Sequence, residues 1–371
     1  MRSDDILRPV REHFLLDPDV VFLNHGSFGA CPRPVFEAYQ AWQRELEREP
    51  VQFIARRLDD LLAHARAELA AFVGTGADDL TFVPNATTGV NMAARALDLK
   101  PGDEILATDL EYGACNFAWE RLCAQTGAQY VRAPVGELFE HRTERTRAVF
   151  LSHITSETAL LLPLEEIVEQ AQLHGLATVV DGAHAVAQVD LDLAALGVDF
   201  YAGNCHKWLC APKGSGFLYV RPEWQKAVDG PIVSWGYAEP ATFVSRTERQ
   251  GTLDPAAYLA VPEAIAFARA HDVRERCVAL ARQARNELCA LLGTEPIAPD
   301  AQVLQMASVR LPEPQPSLTQ RLFDDHRIEI PTTGDGDDLL RISIAPYTER
   351  EDVERLLDAL PAALRTSRSP A

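Results

Sequence analysis

The chain has 371 residues, of which 47% are hydrophobic and 24% charged, a composition suited to a folded soluble protein with room for two domains. Its formal net charge of -19 removes the basic footprint that nucleic acid or an anionic membrane would need as principal partner. The start, Met1-Arg2-Ser3-Asp4-Asp5, has acids where a secretory signal is basic, nothing approaches the roughly 18 apolar residues of a membrane helix, and the seven scattered cysteines lack CxxC spacing, so a cytoplasmic chain with reduced thiols and no metal site is expected.

In chain order, short apolar runs alternate with helical patterns from about residue 65 to 225. The expected strands are Leu80–Val83, Glu104–Ala107, Gln129–Arg132, Ala148–Ser152, Ala177–Asp181, Asp199–Ala202 and Gly216–Val220. Between them lie helical segments such as Leu164–His174, which opens after Pro163 and stops at Gly175. This alternation predicts an α/β fold with a mainly parallel, seven-stranded sheet covered on both faces. Beyond Asp254-Pro255 the pattern changes. A long helical stretch, Ala256–Leu292, leads into short alternating segments at Val303–Leu311 and Leu339–Ile344, an acidic loop at Gly334–Asp338 and a last helix at Glu349–Leu364. The division expected is an N-terminal segment, 1–20, packing on the small domain, a large domain, 21–255, and a smaller α+β domain, 256–371, whose tail Thr366–Ala371 frays.

The chemistry concentrates in two stretches. Val179-Val180-Asp181-Gly182-Ala183-His184 ends an apolar strand on an acid, and 26 positions after that acid stands the lysine of Asn204-Cys205-His206-Lys207-Trp208. Ligands of parallel α/β sheets sit at the carboxyl ends of the strands, which is where Asp181 falls. Such a pair suits pyridoxal phosphate (PLP): Lys207 can bond the cofactor aldehyde as a Schiff base, and Asp181 can pair with the protonated pyridine nitrogen. A charge pair about 4 Å apart is worth roughly 4 kcal/mol at a partly screened dielectric, or about three pKa units, which keeps that nitrogen protonated at neutral pH. Cys205 and Cys210 flank Lys207, but without a second pair they do not read as metal ligands. Earlier, Val83-Pro84-Asn85-Ala86-Thr87-Thr88-Gly89-Val90-Asn91 joins a strand to a helix. Its N–H groups and hydroxyls suit a phosphate, and the same residues also make an ordinary helix cap.

Four stretches occur in a telling order: Phe22-Leu23-Asn24-His25-Gly26-Ser27-Phe28-Gly29, Asn85-Ala86-Thr87-Thr88-Gly89, Ser152-His153-Ile154-Thr155-Ser156, and Gly251-Thr252-Leu253-Asp254-Pro255 ahead of Tyr258-Leu259-Ala260-Val261-Pro262. With the Asp181 and Lys207 motifs they resemble the class V aminotransferase superfamily of fold-type I PLP enzymes, and within it the isopenicillin N epimerase-like group. The resemblance implies that Lys207 holds the cofactor, that Asp181 pairs with its pyridinium, and that His184 hydrogen-bonds its phenolic oxygen. It also implies that Tyr112, in Asp109-Leu110-Glu111-Tyr112-Gly113, stacks on the ring, that Ala86, Thr87, Asn204 and His206 contact the phosphate, and that Thr155 belongs to the cofactor-binding set. Thr252 would reach the phosphate of a neighbouring subunit, making a homodimer the expected assembly. Arg341, in Leu340-Arg341-Ile342-Ser343-Ile344, would clamp a substrate α-carboxylate through its planar fork. Asn24 and His25 either line the substrate end or merely form the turn before Gly26. Arg56 and Arg57 either meet a second acidic group or lie on a solvated helix face.

Departures from the family pattern narrow the chemistry. Cysteine desulfurases carry a thiol on the loop before the arginine strand, whereas here that region reads Ile328-Glu329-Ile330-Pro331-Thr332-Thr333-Gly334 and the last cysteine is Cys289. After the arginine strand, Ala345-Pro346-Tyr347-Thr348 replaces the longer Asn-containing stretch of the epimerase relatives. The expectation is a PLP enzyme acting at the Cα of an amino acid, by epimerisation or transamination, with carbon–sulfur β-lysis of a cysteine conjugate as the alternative and a catalytically silent scaffold opposed by the intact Lys207 and Asp181.

Overall fold

The computed structural model describes residues 9–365. The first eight positions of the expected N-terminal segment, and the tail expected to fray, lie outside the described residues. Val21–Phe22 form a first short strand, β1. Seven strands then make the central sheet: β2 (Leu80–Val83), β3 (Glu104–Thr108), β4 (Gln129–Ala133), β5 (Thr146–Ser152), β6 (Ala177–Gly182), β7 (Phe200–Asn204) and β8 (Gly216–Val220). Their spatial order is β2-β8-β7-β6-β5-β3-β4. Only β8 runs against its neighbours, so six strand ends point the same way. Strands β3, β6, β7 and β8 are buried along their whole length, as expected of strands covered on both faces. Apolar clusters lie on the two faces of the sheet, one around Leu69, Phe82, Val180 and Tyr201 and the other around Val90, Trp119, Phe150 and Val179.

Beyond residue 300 the remaining strands are β9 (Met306–Arg310), β10 (Ile328–Glu329), β11 (Thr332–Thr333) and β12 (Leu339–Ser343). An antiparallel sheet of order β11-β12-β9 packs with the helices Arg274–Leu292, Leu318–His326 and Arg350–Arg365 around a third core. Val21 and Leu23 belong to that core, because β1 pairs in parallel with β10 far along the chain. The described part of the N-terminal segment touches the same region. Arg11 pairs with Asp352 at 2.7 Å, and Phe14 packs edge-on against Tyr347.

The expected long helix over 256–292 is three helices, Ala256–Leu259, Val261–Ala270 and Arg274–Leu292. Pro262 lacks an N–H and occupies the first turn of the second helix, and His271 takes a non-helical conformation that ends it. Two long helices, Arg33–Arg48 and Leu58–Val73, flank the sheet upstream of the alternating pattern, with the π-turn Phe53–Arg57 between them.

Candidate active site

The carboxyl ends of β2, β5, β6 and β7 surround a cavity of about 350 Å³ whose wall includes Ala86, Thr87, Tyr112, Asp181, His184, Asn204, His206 and Lys207. Eight of the residues expected at a cofactor site are thus brought together from segments more than a hundred positions apart. The sheet register explains part of this. Asp181 lies opposite Ser152 on β5 and Ala202 on β7, so one turn beyond each strand suffices to reach the cavity.

Lys207 lies in the turn after β7, and that turn is tightly held. The His25 ring lies 3.0 Å from the Lys207 carbonyl and, on its other side, 3.0 Å from the Tyr347 hydroxyl. Since a carbonyl only accepts, His25 Nε2 is the protonated nitrogen and Nδ1 accepts from Tyr347. Burial pulls the His25 pKa down to about 3, so this contact is made by the neutral ring. Gly29 approaches the same turn with φ of 69°, and a Cβ there would lie 1.9 Å from the His206 carbonyl oxygen. Only glycine combines this left-handed backbone with so close an approach.

Inside the cavity, Lys207 Nζ is 3.0 Å from His184 Nε2, and Trp208 Nε1–H donates to His184 Nδ1 at 3.3 Å. Burial pulls the Lys207 pKa down to about 8 against the opposing pull of Asp181. Asp181 is buried; its Oδ1 accepts from the Ala183 N–H at 2.9 Å, and its Oδ2 faces the Cys115 thiol at 3.4 Å. Burial raises its pKa, and the Ala183 N–H, Lys207 and Cys115 pull the other way. Behind it Glu111, also buried, accepts from Ser152 at 2.6 Å and Thr108 at 2.5 Å, with its pKa raised to about 7 chiefly by burial.

At the opposite side of the cavity the helix Ala86–Ala96 begins. Asn204 Oδ1 accepts the Ala86 N–H at 2.8 Å, and Asn85 caps the helix by accepting from the Thr88 N–H at 2.9 Å. The Thr87 N–H and hydroxyl take no protein partner among the described residues, and His206 bonds the Ser215 carbonyl through Nδ1, leaving Nε2 free. Both readings of this segment therefore hold at once: Asn85 and Asn204 satisfy two of the helix-terminal donors, and Thr87 with His206 remains for an anion.

Arg341 rises from β12. Its guanidinium donates to the Ser156 carbonyl at 2.6 Å and to Ser27 Oγ at 3.0 Å, and both serines line the cavity. The side chain is buried, its Nε has no partner, and among the described residues no carboxylate forms an ion pair with it. Burial pulls its pKa down to about 10, which still leaves it charged at neutral pH.

Other expected site residues stand elsewhere. Thr155 is buried in a local turn, bonded to Thr158 at 2.6 Å and to the Leu160 N–H at 2.8 Å. Asn24 donates to Glu329 at 2.8 Å and accepts from Ser27 at 2.5 Å, so it orients a cavity residue without lining the wall, and His25 supports the lysine turn as described. Thr252 lines a second, larger cavity of about 710 Å³ with Ile54, Trp235 and Tyr258. Arg57 pairs with Glu45 at 2.6 Å. Sequence reasoning assigned no role to Ser27, Ser156, Glu111, Cys115 and Trp208. Trp208 is adjacent to Lys207, Glu111 to Tyr112 and Ser156 to Thr155, and Ser27 lies in the stretch Phe22–Gly29, whereas Cys115 carried no positional signal.

A lysine with a lowered pKa answers the aldehyde of PLP, a buried carboxylate without an ion-pair partner answers the pyridinium, a histidine next to the lysine answers the phenolic oxygen, and an open helix N-terminus with Thr87 and His206 answers the phosphate. The residues fit the group.

A central, mainly parallel sheet with these groups at its strand ends defines a fold-type I PLP-dependent enzyme. The family model for "Aminotransferase class-V" matches residues 30–356, and the chain belongs to that family. It is 39% identical to the isopenicillin N epimerase of Amycolatopsis lactamdurans over 94% of this chain and 96% of that one. It is 36% identical to the isopenicillin N epimerase of Streptomyces clavuligerus over 95% and 97%. Among solved structures, the cystine C–S lyase C-DES in complex with its reaction product cysteine persulfide is 26% identical, with a TM-score of 0.81 over 92% of this chain and 97% of that one. A C-DES mutant with glycine covalently linked to its PLP reaches a TM-score of 0.84. The cofactor of the present chain is PLP. Among the described residues no helix is long and apolar enough to cross a membrane.

Proposed function

We propose that the chain is an amino-acid epimerase of the isopenicillin N epimerase type, and that Arg341 receives the substrate α-carboxylate. The observation that carries this reading is the buried guanidinium of Arg341, held by Ser27 and Ser156 at the cavity wall with no carboxylate paired to it. A guanidinium in that position, unable to shed its proton, is stabilised by a bound anion.

Bound PLP supplies electron withdrawal from the substrate Cα. Asp181, buried at the base of the cavity, would pair with the pyridine nitrogen and favour its protonated form. Thr87 and His206 would hold the phosphate at the helix N-terminus that Asn204 braces through the Ala86 N–H, Tyr112 would lie against the ring, and His184 offers a hydrogen bond beside the lysine. The Lys207 amine, with its pKa near 8, takes the Cα proton and gives it back. Return by Lys207 on the same face restores the centre, so inversion requires a proton delivered to the opposite face by solvent or a second acid.

The similarity to a C–S lyase supports a second reading, β-elimination from a cysteine conjugate. Among the described residues Cys289 is the last cysteine, buried in the helix Arg274–Leu292, and the segment 328–334 has none, which disfavours a persulfide route. The working assembly is a cytoplasmic homodimer in which Thr252 serves the neighbouring site, built from a large domain, 21–255, and a small one, 256–371. The exposed Trp235 and Leu253 near Thr252 support such a contact.

The test is to offer the enzyme a panel of L- and D-amino acids and cysteine conjugates in deuterated water. Epimerisation appears as Cα deuteration with the enantiomer formed; release of thiol with pyruvate would establish the lyase, and keto-acid release a transaminase. A dilution series by light scattering checks the dimer.

A further inference from the structure

Trp208 follows the lysine directly and has no part in the function proposed above. Its ring is buried, packs against His25 with centroids 5.0 Å apart, and donates its N–H to His184 Nδ1. An indole N–H is a donor only, so Nδ1 presents its lone pair. A neutral imidazole carries one proton, which then sits on Nε2, the nitrogen 3.0 Å from Lys207 Nζ. The ring is neutral, because it is buried and the charged or chargeable groups facing it are Lys207, Arg341 and His25, which hold its pKa well below 6.5. Gln188 donates to the His184 carbonyl at 2.7 Å and fixes the backbone from which the ring projects.

The geometry points to Trp208 as a positioning residue that locks His184 with its proton on Nε2, making the imidazole a permanent hydrogen-bond donor toward the Lys207 amine and toward an acceptor atom of the cofactor beside it. An ammonium has three donors and no lone pair, so across 3.0 Å it would set N–H against N–H. The locked ring therefore favours the free amine. Of the other groups facing Lys207, Asp181 and Cys115 favour the ammonium while Arg341 opposes it. Without the indole N–H, the imidazole can move its proton to Nδ1 and accept from the ammonium, which removes that bias.

The meaning of this lock rests on Lys207 being the cofactor lysine, but its test does not, since the cofactor-free protein suffices. Long-range 15N–1H correlation spectra of histidine-labelled protein should show His184 protonated on Nε2 in the parent, a measurement that needs no substitution. In Trp208→Phe, which keeps a ring against His25, the tautomer should become mixed or reverse, and the Lys207 pKa, followed by 15N NMR of labelled lysine, should rise by about one unit. In a His184→Gln background, whose amide can turn either end toward the lysine, adding Trp208→Phe should leave the Lys207 titration in place. Protonation on Nδ1 in the parent overturns the proposal, and so does an equal upward shift in the His184→Gln background, which would mark Trp208 as packing alone.

Discussion

Asp181 and Arg341 are both buried ionic groups without an opposite charge in contact, and burial pushes each toward its neutral form. Their supports differ. Asp181 is held from closer in the chain: its carboxylate accepts from an N–H two residues on and from a thiol 66 positions earlier. Arg341 is held by Ser27 and Ser156, which lie 314 and 185 positions away. Their options differ as well. A carboxylate can escape the cost of burial by taking a proton, whereas a guanidinium with a pKa near 10 keeps its charge throughout the physiological range. A cationic cofactor would thus favour the ionised form at the acid end, while the arginine end stays ionised and waits for an anion.

The largest expected effect lies between the two ends. Lys207→Ala removes both the cofactor's covalent partner and the proton carrier, so turnover should fall by roughly 10⁴-fold, the upper range for a positioned acid–base group. Borohydride should then fix no cofactor to the peptide around position 207, whereas labelling there in the parent is expected. Label on another lysine in the parent would remove Lys207 from this role.

Asp181→Asn breaks the acid end alone. The variant should bind PLP yet lose about 10²- to 10³-fold in kcat, the usual cost of deleting one preorganised electrostatic contact. Near-normal turnover would show that the buried acid does not serve the pyridine nitrogen.

Arg341→Lys breaks the other end more gently, keeping the charge and losing the fork. With a charge-assisted hydrogen bond contributing about 1.5 to 3 kcal/mol, kcat/KM for amino acids should drop roughly ten- to more than a hundredfold. The cofactor spectrum and the handling of amines lacking a carboxylate should stay as in the parent. If amino acids and such amines suffer alike, the carboxylate site is elsewhere.

The mildest effect needs no substitution. Lys207 attacks the cofactor aldehyde as the free amine, whose fraction grows about tenfold per pH unit below the pKa and saturates above it. With that pKa lowered to about 8, the rate of covalent PLP uptake by the cofactor-free protein should climb with pH and level off near 8. A climb continuing toward 10.5, the usual lysine value, would show that burial does not depress this amine.

The contrast between the two ends also governs what the sequence alone could reveal. All seven strands of the central sheet were legible because each is a short run ended by a turn signal, mostly apolar except for the half-polar edge strand β4, and Asp181 with Lys207 lies at the ends of two adjacent strands. The two-residue strands β1 and β10 are too short to show alternation, and their pairing spans the length of the chain. Ser27 and Ser156 lie in stretches shared with the family, but their role was not legible, because a serine that holds an arginine looks like any other until the fold brings the two together. Thr155 lies in a stretch shared with the family, yet its hydroxyl is consumed by Thr158 and Leu160.

The His25 ring, which joins the Lys207 carbonyl to the Tyr347 hydroxyl, sets a condition on biosynthesis. A nascent chain that has emerged as far as Val220 already contains every strand of the central sheet, with Asp181 and Lys207 at their ends. It still lacks Tyr347, the clasp that holds the lysine turn, and Arg341. The clasped form of the lysine turn is therefore completed only when translation has passed Tyr347 and residue 347 has met residue 25 over the turn.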